Sequence, residues 1–336
     1  MAGFDIGIDL GTSTVIIYLK DKGIVLKEPS VVAMNTDTGE IVAIGDDAYL
    51  MLGRTPDSIR AVRPLEKGVI SDYEMTEHMI RYFIRKVCKS RILKPRVAIC
   101  VPSRITEVEK QAVKQAAIVA GARKAYLVDE PMAAAIGAGI DVSKPGGNLI
   151  VDIGGGTTDI AVITLNGIAK CESVRVAGNS FDAAIIKCAR NEHRILIGEK
   201  TAENFKIRLP EIYRKEGKTL EVKGRDLLTG LPRMVSLNWD QVYKYLYEPF
   251  SSIANGIKSL LGDVEPELMG DINDRGLLMT GAGSLVCGLG DFIHDVTGIK
   301  VRFAEDTQNC VAIGTGKIFD FINVLNDGLM IESLSK

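Results

Sequence analysis

The chain has 336 residues, 46% of them hydrophobic and 25% charged, and a formal net charge of −2. This length favours two domains, and the near-neutral charge argues against a nucleic-acid partner recruited by bulk electrostatics. Six scattered cysteines without a C-x-x-C pair, and only three histidines, argue against a structural zinc site or a disulfide framework. Asp5 interrupts the apolar pattern at the N-terminus, and no run approaches the roughly 18 apolar residues of a membrane span. We therefore expect no signal peptide and, at most, peripheral membrane contact.

The first part of the chain predicts strands alternating with helices. Residues 4–19 (FDIGIDLGTSTVIIYL) indicate strand, tight turn and strand, and strand patterns continue through GIVLKEPSVVAM and GEIVAIG, which leads into a short helix. YEMTEHMIRYFIRKVC predicts a helix and PRVAICVP a buried strand. In ITEVEKQAVKQAAIVAGA, Thr106 and Glu109 predict a capping box and Gly121 a helix end. KAYLV then predicts a strand and EPMAAAIGAG a helix.

The second part repeats this opening and then diverges. Residues 148–165 predict strand, glycine turn and strand, followed by helices at 181–193 and 200–208. KTLEVKGRDLLTGLPRMVSL predicts a hairpin, and a helix is expected from Trp239 to about Leu261. The tail predicts a strand in GLLMTGAG, one helix over SLVCGLGDFIHDVTG, a strand in KVRFA and a helix in CVAIGTGKIFDFINVL. The expected fold class is α/β, with two domains closely joined.

An internal repeat connects the two parts. IGIDLGTSTVII aligns with LIVDIGGGTTDIAV about one domain length away. The matched pairs are Asp9 with Asp152, Gly11 with Gly154, and Thr14 with Thr157. We name residues 11–14 the first glycine turn and residues 154–157 the second glycine turn.

The repeated unit suits a polyphosphate. Glycines allow backbone N–H groups to approach phosphate oxygens, and hydroxyls add donors, which are expected from Thr12, Ser13, Thr14, Thr157 and Thr158. A carboxylate beside phosphate requires a cation between them, so Asp9 and Asp152 predict Mg²⁺ held through water. The alternative is a pair of ordinary tight hairpins with Asp capping each turn, and duplication at domain spacing argues against it. The sequence lacks the G-x-x-x-x-G-K-[ST] pattern, and these glycines lead into strands.

A third glycine element lies between a predicted strand and a predicted helix. It comprises Gly281, Ala282, Gly283 and Ser284. A helix N-terminus there could meet the nucleoside or a phosphate, whereas the element alone is an ordinary strand-to-helix turn.

Several of these stretches resemble a known superfamily. DIGIDLGT, VDEPMAAAIGAG, VDIGGGTTDIAV and TGAGS resemble the ATPase signature shared by actin, sugar kinases and heat-shock chaperones. GRTPDSIRAVRPLEKGVISDY, KPRVAICVPSRITEVEKQAV, IGEKTAENFKI and GRDLLTGLPR narrow the resemblance to the bacterial cell-shape actins of the MreB/Mbl family, nearly end to end.

The resemblance implies an actin-like fold with two ribonuclease-H-like lobes around a nucleotide cleft, each lobe bearing a small subdomain. Residues 1–140 with 317–336 would form lobe I, with its small subdomain at about 31–66. Residues 141–316 would form lobe II, with its small subdomain at about 178–238. It also implies a slow Mg-dependent ATPase that uses ATP and ADP and polymerises into antiparallel paired filaments. The filaments would lie at the inner face of the cytoplasmic membrane and organise lateral peptidoglycan synthesis with cell-wall elongation and cell-shape membrane proteins.

Residue roles follow from the same resemblance. The two aspartates would hold Mg²⁺ and the two glycine turns, Gly11 to Thr14 and Gly154-Gly155-Gly156-Thr157, would hold the phosphates. Glu130 would position the attacking water, with help from Thr158. Glu203 and Lys206 would contact the ribose and base. The alternatives are a helix N-terminal charge for Glu130 and a surface ion pair for Glu203 with Lys206.

Three positions depart from the family's usual residues. Ala282 stands where a glycine is usual, Ser13-Thr14 where Ala-Asn is usual, and Asp129 where glutamate is frequent. The Ala282 methyl could crowd the nucleotide, and Asp129 could compete with Glu130 for the water.

A candidate membrane loop is Ile92 and Leu93 in the basic stretch KSRILKP. Adjacent aliphatic side chains among Lys and Arg suit an anionic bilayer surface, and the alternative is that both fold into the core. For the whole chain, the competing functions are a small-molecule kinase, a chaperone-type ATPase, and a filament former with little hydrolysis.

Overall fold

The first part of the chain builds most of a six-stranded sheet, a three-stranded sheet and a two-stranded sheet. The computed structural model describes residues 4–88, 94–325 and 333–335. In chain order the first elements are β1 (Asp5–Leu10), β2 (Thr14–Leu19), β3 (Gly23–Pro29), β4 (Val32–Asn35), β5 (Ile41–Ile44), α1 (Asp46–Met51), β6 (Ile59–Val62), β7 (Leu65–Glu66), β8 (Val69–Ile70), α2 (Tyr73–Val87), β9 (Arg96–Val101), α3 (Glu107–Ala120), β10 (Lys124–Asp129) and α4 (Glu130–Gly137).

The second part repeats the arrangement with a larger insertion. Its elements are β11 (Asn148–Ile153), β12 (Thr158–Thr164), β13 (Gly167–Val174), α5 (Gly178–His193), β14 (Ile195–Leu196), α6 (Glu199–Arg208), β15 (Thr219–Asp226), β16 (Pro232–Asn238), α7 (Trp239–Gly262), α8 (Pro266–Arg275), β17 (Leu277–Thr280), α9 (Leu289–Thr297), β18 (Val301–Phe303), α10 (Cys310–Leu325) and β19 (Ser333–Ser335).

The two large sheets share one strand pattern. The first has the order β19-β10-β9-β1-β2-β3 and the second the order β13-β12-β11-β17-β18. In the first, the hairpin β1–β2 is antiparallel and β9 joins β1 in parallel. In the second, β11–β12 is antiparallel and β17 joins β11 in parallel. The sequence repeat is therefore also a repeat of topology, and the predicted α/β class is confirmed.

Helices α4 and α10 pack between the two large sheets. Their contact is close because the residues are small: a Cβ built on Gly314 of α10 would overlap the carbonyl oxygen of Ala133 in α4. The same buried cluster includes Ala98 from β9 and Ala161 from β12, so one core links both sheets. Such close backbone approach requires glycine.

Most predicted helices are present near their expected bounds. The α3 caps are confirmed: Glu109 N donates to Thr106 Oγ1 at 3.2 Å, Thr106 N donates to Glu109 Oε2 at 2.6 Å, and Gly121 has φ 119°. The single helix predicted over SLVCGLGDFIHDVTG is wrong. Gly288 adopts φ 84° beside Trp239, so a short 3₁₀ turn at Ala282–Leu285 precedes a separate helix, α9.

Candidate functional site

The two glycine turns lie against each other. The first follows β1, where Asp9 pairs with Ile16, and the second follows β11, where Asp152 pairs with Asp159. A Cβ built on Gly156 would lie 2.6 Å from Thr12 Oγ1. The two turns therefore meet at a distance that leaves no room for a side chain at Gly156.

Side chains also link the turns to their surroundings. A Cβ on Gly155 would overlap the Ser13 hydroxyl, and that hydroxyl donates to Asn179 Oδ1 at 3.1 Å. Gly11 accepts at its carbonyl oxygen from Ser30 Oγ at 2.6 Å. Ser13 thus spans from the first turn to the N-terminal end of α5.

The third glycine element packs directly on the second glycine turn. Gly281 has φ 81°, and a Cβ on Gly283 would lie 2.7 Å from the carbonyl oxygen of Gly154. Ser284 is buried and donates to the Gly281 carbonyl at 2.7 Å, so its hydroxyl proton serves the turn itself. Ala282 is exposed, which places its methyl group at the protein surface.

Asp9 and Asp152 occupy equivalent places, each one residue before the end of its strand. Burial raises the pKa of Asp9 to about 6 and that of Asp152 to about 7. Thr280 Oγ1 donates to Asp152 Oδ1 at 2.6 Å, and the Cys100 thiol donates to Asp9 Oδ1 at 3.3 Å, which partly offsets the effect of burial. The charge of Asp9 further raises the pKa of Asp152, so the two carboxylates lie within each other's field.

This pair fits a hydrated divalent cation. Among the residues that the structure describes, no group of three or more His, Cys, Asp or Glu side chains could hold a metal directly. Mg²⁺ commonly keeps several waters and takes only one or two carboxylates from a protein. Two buried carboxylates with raised pKa values would be stabilised in their charged form by such a cation.

Glu130 is the first residue of α4, and its carboxyl lies close to that of Asp159. Burial, followed by the negative charges of Asp159, Asp152 and Asp9, raises the pKa of Glu130 well above its ordinary value. Burial also raises the pKa of Asp159. The two carboxyls therefore hold a proton more readily than exposed ones would. Asp129, the neighbouring residue, caps no backbone group of α4 with its side chain.

Asp159 was not among the predicted site residues. It lies in β12 opposite Asp152 and is fully buried. Its Oδ1 accepts from Ser103 N at 3.1 Å, and its Oδ2 has no partner within the described part of the chain. An aspartate inside an otherwise apolar buried strand is itself a signal, because charged residues are rarely fully buried without a partner.

Thr158 is buried, and its hydroxyl donates to the Val176 carbonyl at 2.7 Å. That proton is committed to the backbone, so any contact between Thr158 and a water would use the hydroxyl oxygen as an acceptor.

Glu203 and Lys206 lie on α6, and each has its own partner. Tyr49 Oη donates to Glu203 Oε2 at 2.7 Å, which joins α1 of the first part to α6 of the second. Lys206 Nζ donates to Asp182 Oδ2 at 2.9 Å and to the Gly178 carbonyl at 3.1 Å. Lys206 therefore lies at the start of α5, beside the second glycine turn. The alternative that Glu203 and Lys206 form an ion pair with each other is wrong, because each side chain has a different partner.

Ile92 and Leu93, the candidate membrane loop, lie outside the described residues. Within the described ranges, no helix is both long and apolar enough to span a bilayer.

Two glycine turns in contact on repeated sheets, with helices packed between those sheets, define an actin-like fold. The chain belongs to the MreB/Mbl family, because the family model for MreB/Mbl protein matches residues 3–327. It is 45% identical over 323 residues to the cell shape-determining protein Mbl of Bacillus subtilis, covering 96% of this chain and 97% of Mbl. It is also 45% identical over 335 residues to the cell shape-determining protein MreB of Escherichia coli, covering 98% and 96% respectively.

Solved structures agree with this fold. MreB5 of Spiroplasma citri bound to AMPPNP superposes with a TM-score of 0.90 at 36% identity, covering 98% of this chain and 100% of MreB5. The MamK double helical filament matches with a TM-score of 0.79 at 20% identity, covering 94% and 98%, and supports the fold alone.

Proposed function

We propose that this protein binds and hydrolyses ATP and polymerises into filaments that determine cell shape. The observation that carries the proposal is the pair of touching glycine turns, each preceded by a buried aspartate. Relatives in the same family support it, since structures of MreB5 hold AMPPNP in one case and ADP in another.

In this proposal the backbone N–H groups of both turns bind the phosphates, with Thr12, Ser13, Thr14 and Thr157 as further donors. Asp9 and Asp152 hold Mg²⁺ through water, and the ion neutralises phosphate charge when bound. Glu203 contacts the ribose, and Lys206 lies beside the base. The third glycine element, Gly281 to Ser284, contacts the nucleoside or a phosphate, and it packs on the second turn.

Glu130 orients the attacking water in this proposal. Hydrolysis of a phosphoanhydride depends mostly on positioning and electrostatics, so a fixed carboxylate near the terminal phosphate is the required group. The Asp159 carboxyl lies beside Glu130 on one side, and α4 fixes the Glu130 backbone. Thr158 accepts from the same water.

We also propose that residues 1–140 with 317–336 form one lobe and residues 141–316 the other, as in the family that the chain belongs to.

The proposed filament and membrane roles rest on membership of the same family. MreB and Mbl are named cell shape-determining proteins. We propose antiparallel paired filaments in the cytoplasm, at the inner face of the membrane, with Ile92 and Leu93 as the contact and cell-wall elongation proteins as partners.

The test compares wild type with Glu130→Gln and Asp129→Asn. Phosphate release, Mg-ATP affinity, pelleting and electron microscopy are measured together. Glu130→Gln should keep Mg-ATP affinity and filaments but lose phosphate release by about 10²-fold. Asp129→Asn is the matched control and should keep most of the release.

Three results would contradict the proposal. Wild type that binds no nucleotide would remove the site itself, and equal loss in both variants would remove the assigned role of Glu130. Rapid phosphorylation of a sugar without filaments would point instead to a small-molecule kinase of the same fold.

A second candidate is a filament former with little hydrolysis. The raised pKa of Glu130 favours it, because a carboxyl that keeps its proton polarises water poorly. Filaments with phosphate release equal in wild type and Glu130→Gln would support this candidate.

A further inference from the structure

A small hairpin reaches the place where the two glycine turns meet. Strands β7 and β8 pair through Leu65 with Ile70 and Glu66 with Val69, so Lys67 and Gly68 form a two-residue turn. Both turn residues have positive φ, 50° for Lys67 and 77° for Gly68, as a type I′ turn requires. We name Lys67-Gly68 the hairpin tip.

The hairpin tip contacts both glycine turns. Gly68 N donates to Thr12 Oγ1 at 3.0 Å in the first turn. A Cβ built on Gly156 of the second turn would lie 2.9 Å from Lys67 Cα. Arg63, just before the hairpin, donates from Nη1 to the Ser13 carbonyl at 2.9 Å and fixes the approach.

The tip lies at one end of the proposed phosphate site. Its side towards β9 is fixed by Pro102, since a Cβ on Gly68 would lie 2.8 Å from Pro102 Cγ. The next residue, Ser103, donates from its backbone N–H to Asp159, whose carboxyl lies close to that of Glu130. The hairpin tip is thus beside the carboxyls proposed for hydrolysis.

The ribose candidates approach from the other end of the second turn. A Cβ on Gly178 would lie 3.5 Å from Lys206 Nζ and 3.6 Å from Gly155 Cα. Lys206 Nζ and Gly155 thus lie on either side of Gly178, whereas Lys67 packs on Gly156. In a nucleoside triphosphate the terminal phosphate is the one farthest from the ribose, so with Lys206 beside the base the terminal phosphate would lie towards Lys67.

Lysine is an unexpected residue for this turn. Asn-Gly and Asp-Gly are the usual sequences of type I′ turns, because other side chains tolerate positive φ poorly. A residue held in such a conformation beside a candidate site suggests a use for its side chain. Lys67 is exposed, and its ammonium sits on a flexible four-carbon stem with three donors, a group that binds phosphate well.

The local charge also calls for a cation. Asp9, Asp152 and Asp159 are buried close to the turns, and the charges of Asp9 and Asp159 help to raise the pKa of Asp152. Lys27 lowers the pKa of Asp9, but it donates to Gln308 at 2.8 Å and is held there. A triphosphate would add further negative charge to this end of the site.

We propose that Lys67 binds the terminal phosphate of a nucleoside triphosphate and makes the protein prefer triphosphate over diphosphate. This inference rests on the proposed ATP-binding function and assigns a specificity residue to it. Gly68 would connect phosphate binding at the first glycine turn to the hairpin tip, since its N–H donates to Thr12 Oγ1.

The test uses Lys67→Asn, Lys67→Arg and wild type, with Mg-ATP and Mg-ADP affinities measured by calorimetry below the polymerisation concentration. Asparagine suits the turn but removes the charge, whereas arginine keeps the charge. Lys67→Asn should weaken Mg-ATP by about tenfold, the loss of one charge-assisted bond, and change Mg-ADP by about twofold or less. Lys67→Arg should retain most of the ATP preference.

Arg214→Asn is the matched control. Arg214 is also an exposed cation at positive φ, 49°, but its partner is the Asp291 carboxylate at 3.1 Å. It should leave both affinities unchanged. Equal weakening of ATP and ADP in Lys67→Asn, or no change in either, would overturn the inference. Wild type that binds neither nucleotide would instead defeat the proposed function.

Discussion

Gly154 and Gly156 of the second turn differ in how closely protein atoms surround them. At Gly156 a Cβ would lie 2.6 Å from Thr12 Oγ1 and 2.9 Å from Lys67 Cα, so the residue is excluded by protein atoms. At Gly154 the nearest atom to a Cβ is the Thr157 carbonyl oxygen at 3.5 Å, an ordinary contact. Protein packing therefore excludes a side chain at Gly156, whereas at Gly154 it does not.

We predict that Gly156→Ala destabilises the protein without nucleotide by about 1–3 kcal/mol, the usual cost of overpacking. Gly154→Ala should change the free energy of unfolding by only a few tenths of a kcal/mol relative to wild type. The measurement is denaturant unfolding of both variants in nucleotide-free buffer. Equal stability of the two variants would show that the turns are not packed as closely as described.

Some residues of the candidate site could be predicted from the sequence and others could not. Asp9, Asp152 and the glycines were predictable because the repeat places them in one local pattern. Asp159 was missed because its partners are remote: Ser103 is 56 residues away in the chain. The hairpin tip was missed because β7 and β8 have only two residues each, too short for a period to be seen.

At the scale of elements, some helix ends could be predicted from the sequence and others could not. The start and end of α3 were predictable because Thr106, Glu109 and Gly121 act on backbone within a few residues. The break before α9 was not, because the amphipathic pattern continues across Gly288. There the left-handed backbone is set by packing on Trp239, whose ring carbons would lie 3.1 Å from a Cβ at Gly288.

We predict that Gly288→Ala costs more stability than Gly298→Ala, although both residues have positive φ, 84° and 73°. Each alanine pays about 1–2 kcal/mol for the left-handed conformation. Only the variant at Gly288 also crowds Trp239, because a Cβ on Gly298 has no atom within 4 Å. Trp239 is the lone tryptophan, so its fluorescence during unfolding reports both values directly. A larger loss at Gly298 would contradict this account.

At the scale of the whole molecule, the two repeated halves are joined by an apolar contact and by polar ones. The apolar contact is the cluster of α4 and α10, which includes residues from both large sheets. Among the polar contacts, Tyr49 of α1 donates to Glu203 of α6, and Lys200 Nζ lies 4.5 Å from the centre of the Tyr49 ring. An apolar core resists separation, whereas a partly exposed polar contact can break and re-form, so opening is expected where Tyr49 meets Glu203.

We predict that Tyr49→Phe speeds release of Mg-ADP with little change in stability. The variant keeps the ring for Lys200 and loses only the hydrogen bond to Glu203, worth about 1.5 kcal/mol or less at a partly exposed site. Release should therefore accelerate up to about tenfold. Stopped-flow displacement of a fluorescent ADP gives the rate.

Tyr245→Phe is the control for this prediction. Tyr245 Oη donates to Glu192 at 2.8 Å, a bond of the same chemistry that joins α7 to α5 within the second part of the chain. Its loss should leave release of Mg-ADP unchanged, because it does not join the two halves. Equal acceleration in both variants would mean that a general loosening controls release. Acceleration in Tyr49→Phe alone would assign the slow step to opening between α1 and α6.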